Sequence, residues 1–359
     1  MSVGAASEID SLLEVSARIG AEPLLVQAAT GNTSVKLDGV LWIKASGKWL
    51  ADATRDDILI PVNLAETRRR IEHKADPAGQ AAIVGGKTMG TSVETAMHAV
   101  LPHRVVLHVH SVNTIAWAVR RDGPSELAAR LEGIDWAWIP YVSSGLPLAA
   151  AIQCAMARNP STEVLVLANH GLVVCGEDCE AAENLLRVVE RRVAIAPRLA
   201  PAPDWPLLAR LSEGGRWQIP QRLPQNAAVH AMGTDPVTHG IVSHGVLYPC
   251  QAIFLTPRAT TLPHAATPAD LAGVAEPFVM VERAGVLVRE KANPAESATL
   301  AGLAQVLQRI PADAPLEYLR DDQIGDLLCA DVYHYRDMVE GNSMVHATSV
   351  TFQPVTKNQ

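Results

Sequence analysis

The order of apolar and polar positions divides the chain into segments of two different periods. Ile9, Leu12, Leu13 and Ile19 recur at helical spacing in a segment opened by Ser7 with Asp10 and stopped by Gly20, which predicts a packing helix. TSVKL (33–37) and VLWIKA (40–45) predict two strands joined by an Asp38-Gly39 hairpin turn, with a Ser46-Gly47 turn after them. ILIPVNL (58–64) reads as a short strand and AETRRRIEHKADPAGQ (65–80) as a helix running out into a loop. Ser92 then caps a short helix whose first turn carries Glu94, and the Leu101-Pro102 break leads into the strand VVLHVH, 105–110. NTIAWAVRR and SELAARLEG read as helices, WAWIPYV as a strand, LPLAAAIQCAMAR as a helix and EVLVLANHG as a strand. DCEAAENLLRVVERRVAIA follows as an amphipathic helix capped by Asp178. Helices and strands alternating, with hairpins among them, argue for a layered α/β unit over residues 1–200.

From Pro197 to Pro224 the text changes to six prolines in a short span, so residues 201–224 are expected to be a linker or an extended wrap. A second unit follows over 225–359. There CQAIFL, PFVMVER and AGVLVRE read as strands, the last two around Ala284-Gly285, while AESATLAGLAQVLQRI and RDDQIGDLLCADVYHYRDMV read as helices with apolar stripes. The second unit is therefore expected to be a smaller α/β domain, of α+β extension type.

Composition narrows the function classes. With 359 residues and 48% hydrophobic content the chain can bury two cores. A formal charge of −8 and a pI near 5.8 disfavour nucleic acid or an anionic membrane as the main partner, since either requires a basic surface. Cys154, Cys175, Cys179, Cys250 and Cys329 are odd in number and scattered, which argues against a disulfide framework and for a reducing compartment. The first twenty residues lack the layout of a signal peptide and no apolar run is long enough to span a bilayer, so a cytoplasmic location is expected.

The chemistry gathers in SVETAMHAVLPHRVVLHVH, 92–110. Residues two apart on a strand share a face, so His108 and His110 present two imidazoles together. Glu94 sits upstream, and His170 ends the run VLVLANH at a glycine turn, where a rigid scaffold commonly presents site residues. Three neutral imidazoles leave zinc with open positions and most of its charge, as a catalytic site requires. A pair of strand histidines alone is as readily explained as satisfied buried polar residues. Cys175 and Cys179 also lie near His170, but no second thiolate pair is present to close a structural site. His239 and His244 stand in loop-like text without a carboxylate cluster and read as exposed.

Glu94, His108, His110 and His170, in this order and context, resemble the class II aldolase/adducin family over roughly the first 200 residues. The resemblance implies a three-layer α/β/α domain with a central, mainly antiparallel sheet. It implies a Zn2+ site, or one for another divalent cation, on His108, His110 and His170, with Glu94 shuttling a proton and burial raising its pKa toward the working range. It also places substrate, possibly phosphorylated, at Asn32, Ser46, Gly47 and Ser92. Where sugar-phosphate members often carry a serine pair before the glutamate, this chain has Ser92 and Val93, which weakens the case for a phosphate in particular. For the same turns the plain alternative is a solvated hairpin with Lys36, Lys44 and Lys48 merely exposed. VGGKTMG (84–90) is no phosphate loop, because the glycine required five places before Gly86 is Ala81.

The expected activity is that of a zinc-dependent lyase of carbohydrate metabolism, cleaving a small hydroxy-carbonyl or sugar-phosphate compound through a metal-stabilised enediolate. Epimerase, dehydratase and decarboxylase chemistry pass through the same species, and a non-catalytic adducin-like scaffold is the remaining alternative. Family aldolases often add an acid tyrosine. Here Tyr141 reads as structural, and Tyr248, Tyr333 and Tyr335 belong to the extension. The extension resembles the segment following the aldolase domain in longer relatives, but no dinucleotide glycine fingerprint appears, so no dehydrogenase is inferred. A homo-oligomer, by analogy a tetramer, is expected, with no nucleic-acid or membrane partner.

Overall fold

A computed structural model describes residues 3–75, 82–85, 90–220 and 227–328. The lysine-bearing end of VGGKTMG, the second half of the expected last helix, Cys329, Tyr333 and Tyr335 lie outside the described residues. The first unit is built on a seven-stranded sheet in the order β3-β2-β1-β4-β7-β6-β5. Its strands are β1 (Asn32–Leu37), β2 (Val40–Lys44), β3 (Leu59–Asn63), β4 (Val105–Val109), β5 (Trp136–Ile139), β6 (Val164–Leu167) and β7 (Gly171–Gly176). Every neighbouring pair is antiparallel except β5 with β6. Asp38 and Gly39 turn β1 into β2 with positive φ at both positions, as the hairpin reading requires.

Alternation along β4 assigns the two faces. Val105, Leu107 and Val109 pack with Leu12, Val15 and Ile19 of α1 (Val3–Gly20) and Leu186 and Val189 of α7 (Cys179–Val193). Val106 packs on the other side with Met97 of α3 (Thr95–Val100) and Leu148 and Ile152 of α6 (Leu146–Arg158). The result is the expected three-layer unit, and His108 shares the face of Val106. His108 is central: it pairs with Asn32 on one side and Val173 on the other. Between the strand ends and α5 (Gly123–Arg130) runs α4 (Val112–Ala118), capped by Ser111, whose hydroxyl accepts from the Thr114 N–H.

Several local expectations change. α1 begins before Ser7, and Gly20 is needed for close packing: a Cβ there would come within 2.3 Å of the Ala51 nitrogen. Ser92 is not the cap of α3: Glu94 is the N-cap residue instead of lying in the first turn, and the Ser92 hydroxyl, two residues before it, accepts from the Glu94 N–H at 3.2 Å. The proline-rich stretch 201–224 carries a helix, Trp205–Leu211, and the short strand β8 (Trp217–Gln218). Pro206 sits at the start of that helix, where its missing N–H costs nothing, and Asp204 caps it. Leu207, Leu208, Leu211 and Trp217 are buried against Val279, Val281 and Leu287, so apolar burial overrides the linker signal.

The second unit holds a four-stranded sheet, β8-β11-β10-β9, with β9 (Thr260–Leu262), β10 (Phe278–Val281) and β11 (Gly285–Arg289). CQAIFL is not a strand: Gln251–Leu255 form a π-helical turn, with both Ala252 and Phe254 buried. A short apolar run without alternation cannot separate strand from buried helix, and tertiary packing chose the latter. His239 and His244 lie on the helix Pro236–His244, capped by Asp235, and not in a loop. The helix Pro294–Leu307, with its Asn293/Glu296 capping box, packs onto the first unit. Ala28, Ala29, Val112, Ile115 and Val119 share one buried cluster with Phe254, Leu303 and Leu307. No helix among the described residues is long and apolar enough to cross a membrane.

Candidate metal centre and active site

The antiparallel register of β4 and β7 orients the first of the three histidines. The ring of His108, fully buried, reaches the Leu172 carbonyl of β7 with Nδ1 at 3.1 Å. Its buried Nε2 makes no hydrogen bond, with a Glu94 oxygen 3.4 Å away. A buried orphan nitrogen on a central strand is costly unless something else fills its valence. His110, two residues on, lies on the same face, and its Nδ1 is 3.3 Å from the Cys250 Sγ.

His170 arrives from the opposite direction, at the turn between β6 and β7. Asn169 adopts the left-handed conformation with φ 52°, and the His170 N–H closes the turn on the Leu167 carbonyl. Gly171 follows because β7 passes so near β4 that a Cβ would lie 2.6 Å from the Val109 carbonyl oxygen. The three imidazole centroids are 5.0, 5.0 and 5.1 Å apart, edge to face, and one nitrogen of each lies within 4.8 Å of the others. Burial pulls His108 down to about 4 and His110 well below the usual imidazole range, leaving both neutral near pH 7. Neutral imidazoles, a shared focus and an orphaned Nε2 fit a divalent cation.

Glu94 stands against this focus with both oxygens. Oε2 is 3.4 Å from His108 Nε2, and Oε1 is 3.1 Å from His170 Nε2. The Asn32 amide donates to Oε2 at 2.7 Å, and the Ser144 hydroxyl donates to Oε1 at 3.4 Å. Burial by itself would raise the Glu94 carboxyl, as expected from the sequence. The surrounding imidazoles of His108, His170 and His110, together with the hydrogen bond from His170, outweigh it and hold the group well below its ordinary value. The expected upward shift is therefore reversed.

Asn32 is itself oriented. His98, one turn after Glu94 on α3, hydrogen-bonds through Nε2 to the side-chain Oδ1 of Asn32, and the Ser34 hydroxyl reaches His98 Nδ1 at 2.7 Å. The chain Ser34, His98, Asn32, Glu94 fixes the carboxylate from behind. Sequence reading missed His98 and Ser34, although both carry a signal: His98 is four residues from Glu94 and Ser34 two from Asn32, hence on the same faces. Ser144 and Cys250 come from distant segments without local signal.

The remaining substrate candidates are brought into one neighbourhood. Ala45 bridges to Thr91, and the Ser46 N–H donates to the Gly90 carbonyl at 3.0 Å, so the Ser46-Gly47 turn lies along the approach to Ser92. Gly47 has φ 71°. The Ser92 hydroxyl is 3.4 Å from the Asn32 amide nitrogen. Asn32 is thus committed to Glu94 and His98 as well as lying in this group. The picture of exposed lysines does not hold. Lys44 is 2% exposed, donates to the Ala29 and Lys48 carbonyls at 2.7 Å each, and is lowered by burial to about 7. Lys36 donates to the His103 carbonyl, and burial brings it to about 8.

The profile of the family described as Class II Aldolase and Adducin N-terminal domain matches residues 11–196. An uncharacterized oxidoreductase of Bacillus subtilis (strain 168), YuxG, is 28% identical over 187 residues, 48% of this chain and 27% of that protein. The match thus spans only about a quarter of that relative's length. Among solved structures, the N-terminal class II aldolase domain of a conserved protein from Thermoplasma acidophilum aligns with 25% identity and TM-score 0.45, covering 52% of this chain and 92% of that one. A sugar-phosphate aldolase from Thermotoga maritima aligns with 14% identity and TM-score 0.43, covering 53% and 93%.

Proposed function

The chain belongs to the class II aldolase and adducin family, and on that premise we propose that it is a divalent-cation-dependent lyase of the aldolase type, acting on a small hydroxy-carbonyl compound. Residues 1–200 are read as the catalytic unit and 225–359 as a second unit. His108, His110 and His170 would hold the cation, zinc by preference for three imidazoles. When bound, it would supply a Lewis acid for the substrate's carbonyl oxygen. Glu94 accepts and returns the proton that moves as the carbon–carbon bond breaks or forms. Asn32 and Ser144 keep its two oxygens in place, so little reorganisation is needed at the moment of transfer. Ser46, Gly47 and Ser92 are read as the wall that takes the far end of the substrate, phosphorylated or not. The same parts serve epimerisation, dehydration or decarboxylation.

The single observation that carries this reading is the Glu94 carboxyl with both oxygens against two of three converging imidazoles. A scaffold gains nothing from burying such a cluster, since each unpaired buried polar group costs stability. No tyrosine within the described residues is assigned as an acid. Tyr141 packs beside Val246, Ala252 and Leu319 and is raised by burial to about 12, Tyr248 is fully buried, and the Tyr318 hydroxyl donates to the Ile241 carbonyl. A homo-oligomer, tetrameric by family analogy, is part of the proposal and is checked by light scattering.

The test is metal analysis and turnover of two variants. His108→Ala is expected to lose bound cation. Glu94→Gln keeps it and loses turnover by a factor of about 10² or more, the usual weight of a positioned acid–base group. Turnover is read in a screen of aldol cleavage and C–O elimination over free and phosphorylated ketoses. Full cation content in His108→Ala removes that residue from the ligand set, and undiminished turnover in Glu94→Gln removes the carboxylate from the chemistry.

A further inference from the structure

The three histidines are not held by the same part of the molecule. His108 is fixed within the sheet, by the Leu172 carbonyl of the neighbouring strand. His110 has no such carbonyl. Its Nδ1 faces the Sγ of Cys250, a buried residue of the second unit that precedes the π-helical turn Gln251–Leu255. The peptide before Cys250 is pinned to the third ligand's turn as well. The Asn169 amide donates to the carbonyls of Leu247 and Glu317, at 2.8 Å each, and Asn169 directly precedes His170. Gln251 locks this segment from within, accepting from the Leu247 N–H at 2.9 Å and donating to the Gly245 carbonyl at 3.1 Å.

We propose that residues 245–251 of the second unit form the outer wall of the metal centre, with Cys250 as the positioning residue that fixes the ring of His110. This rests on reading the histidine triad as a cation site. A ligating imidazole must carry its proton on the nitrogen that faces away from the cation, and that N–H needs an acceptor, or the ring and its tautomer are left undetermined. For His110 the atom in place is a sulfur, a weak but adequate acceptor. With Nδ1–H directed to Sγ, the Nε2 lone pair is the one left for the centre. The Asn169 contacts do the corresponding work for His170 by holding its turn in the left-handed conformation. A first unit standing alone would keep all three histidines and lose the outer contacts of two of them. The second unit is on this account part of the site.

Cys250 also belongs to the apolar cluster that joins the two units, so the competing explanation is packing alone. Two substitutions in the full-length chain separate the explanations. Cys250→Val keeps the bulk and removes the polar atom, while Cys250→Ser keeps a polar atom and loses some bulk. Metal-stripped proteins are titrated with Co2+ against a chromophoric chelator, the cobalt absorption spectrum is recorded, and melting is measured in the stripped form. Cys250→Val is expected to weaken Co2+ binding about 10-fold, the lower end of what outer partners of a ligating histidine contribute, and to change the spectrum. Cys250→Ser stays within about threefold of the parent because a hydroxyl also accepts. Cys154→Ser, at an exposed position, leaves both readings unchanged. Parent-like affinity and spectrum in Cys250→Val overturn the proposal. So does a loss of affinity shared equally by Val and Ser variants and matched by a fall in melting temperature, which assigns Cys250 to packing. A parent protein that takes up no Co2+ refutes the cation reading itself, a failure distinct from these two.

Discussion

Asn32 lies opposite His108 in the pairing of β1 with β4, and its amide is turned by His98 so that the nitrogen points at Glu94. A residue the family likeness assigns to substrate thus also holds the Glu94 carboxyl, and only the hydrogen-bond partners reveal it. Lys44 makes the same point for charge. In sequence it is one of three lysines near a turn; in the fold its ammonium is enclosed, with two carbonyls for partners and burial lowering it from 10.5 to about 7. The sign of the pH effect follows from proton counts. Between about pH 7 and the unfolded value the unfolded chain binds the extra proton, so stability rises with pH across that window and gains nothing from this group below it. The slope is at most about 1.4 kcal/mol per pH unit for a single proton. Urea unfolding of the metal-stripped protein between pH 7 and 9 should show this rise and Lys44→Met should flatten it. An unchanged slope in the variant would assign the pH dependence elsewhere.

Among the elements, β4 and β7 are the pair on which the centre depends. β4 brings His108 and His110 to one face through its period of two, which is local and was legible from VVLHVH alone. The position of β7 is a matter of close approach. Gly171 lets its backbone come against Val109, and the same register gives His108 its carbonyl partner at Leu172. A methyl group at Gly171 meets backbone and has no flexible neighbour to displace. Gly171→Ala is therefore expected to push β7 away, cost about 1–3 kcal/mol in urea unfolding, and weaken cation binding with it. Parent-like stability and affinity would show that the strands tolerate a wider spacing. Elsewhere the cap read at Asp178 marked its helix correctly. Local signals misled in the proline-rich stretch, because prolines at a helix start and prolines in a linker look alike in sequence, and only the burial of Leu207, Leu208 and Leu211 separates them.

Over the whole molecule, the two units share a core instead of merely touching. The helix Pro294–Leu307 and the π-helical turn pack Leu303, Leu307 and Phe254 onto Ile115 and Val119 of the first unit. Leu303→Ala should cost about 2–5 kcal/mol and lower the stability of both units together, seen as one coincident unfolding transition by tryptophan fluorescence and far-ultraviolet circular dichroism. Two separated transitions would mean that the units are independent. By itself the sequence determined what depends on neighbours along the chain: the strand and helix periods of the first unit, the Asp38-Gly39 turn, the Asp178 cap, the shared face of His108 and His110, and, through its resemblance to a family, the gathering of Glu94 and His170 beside that pair. The tertiary structure alone decided what depends on segments far apart: the downward shift of Glu94, the burial of Lys44, the relay through His98, and the approach of Cys250 to His110 across 140 residues. The physical reason is that periodicity and capping act over a few residues, whereas burial, register and the partner of a polar atom are set by whichever distant segment the packed core places beside it.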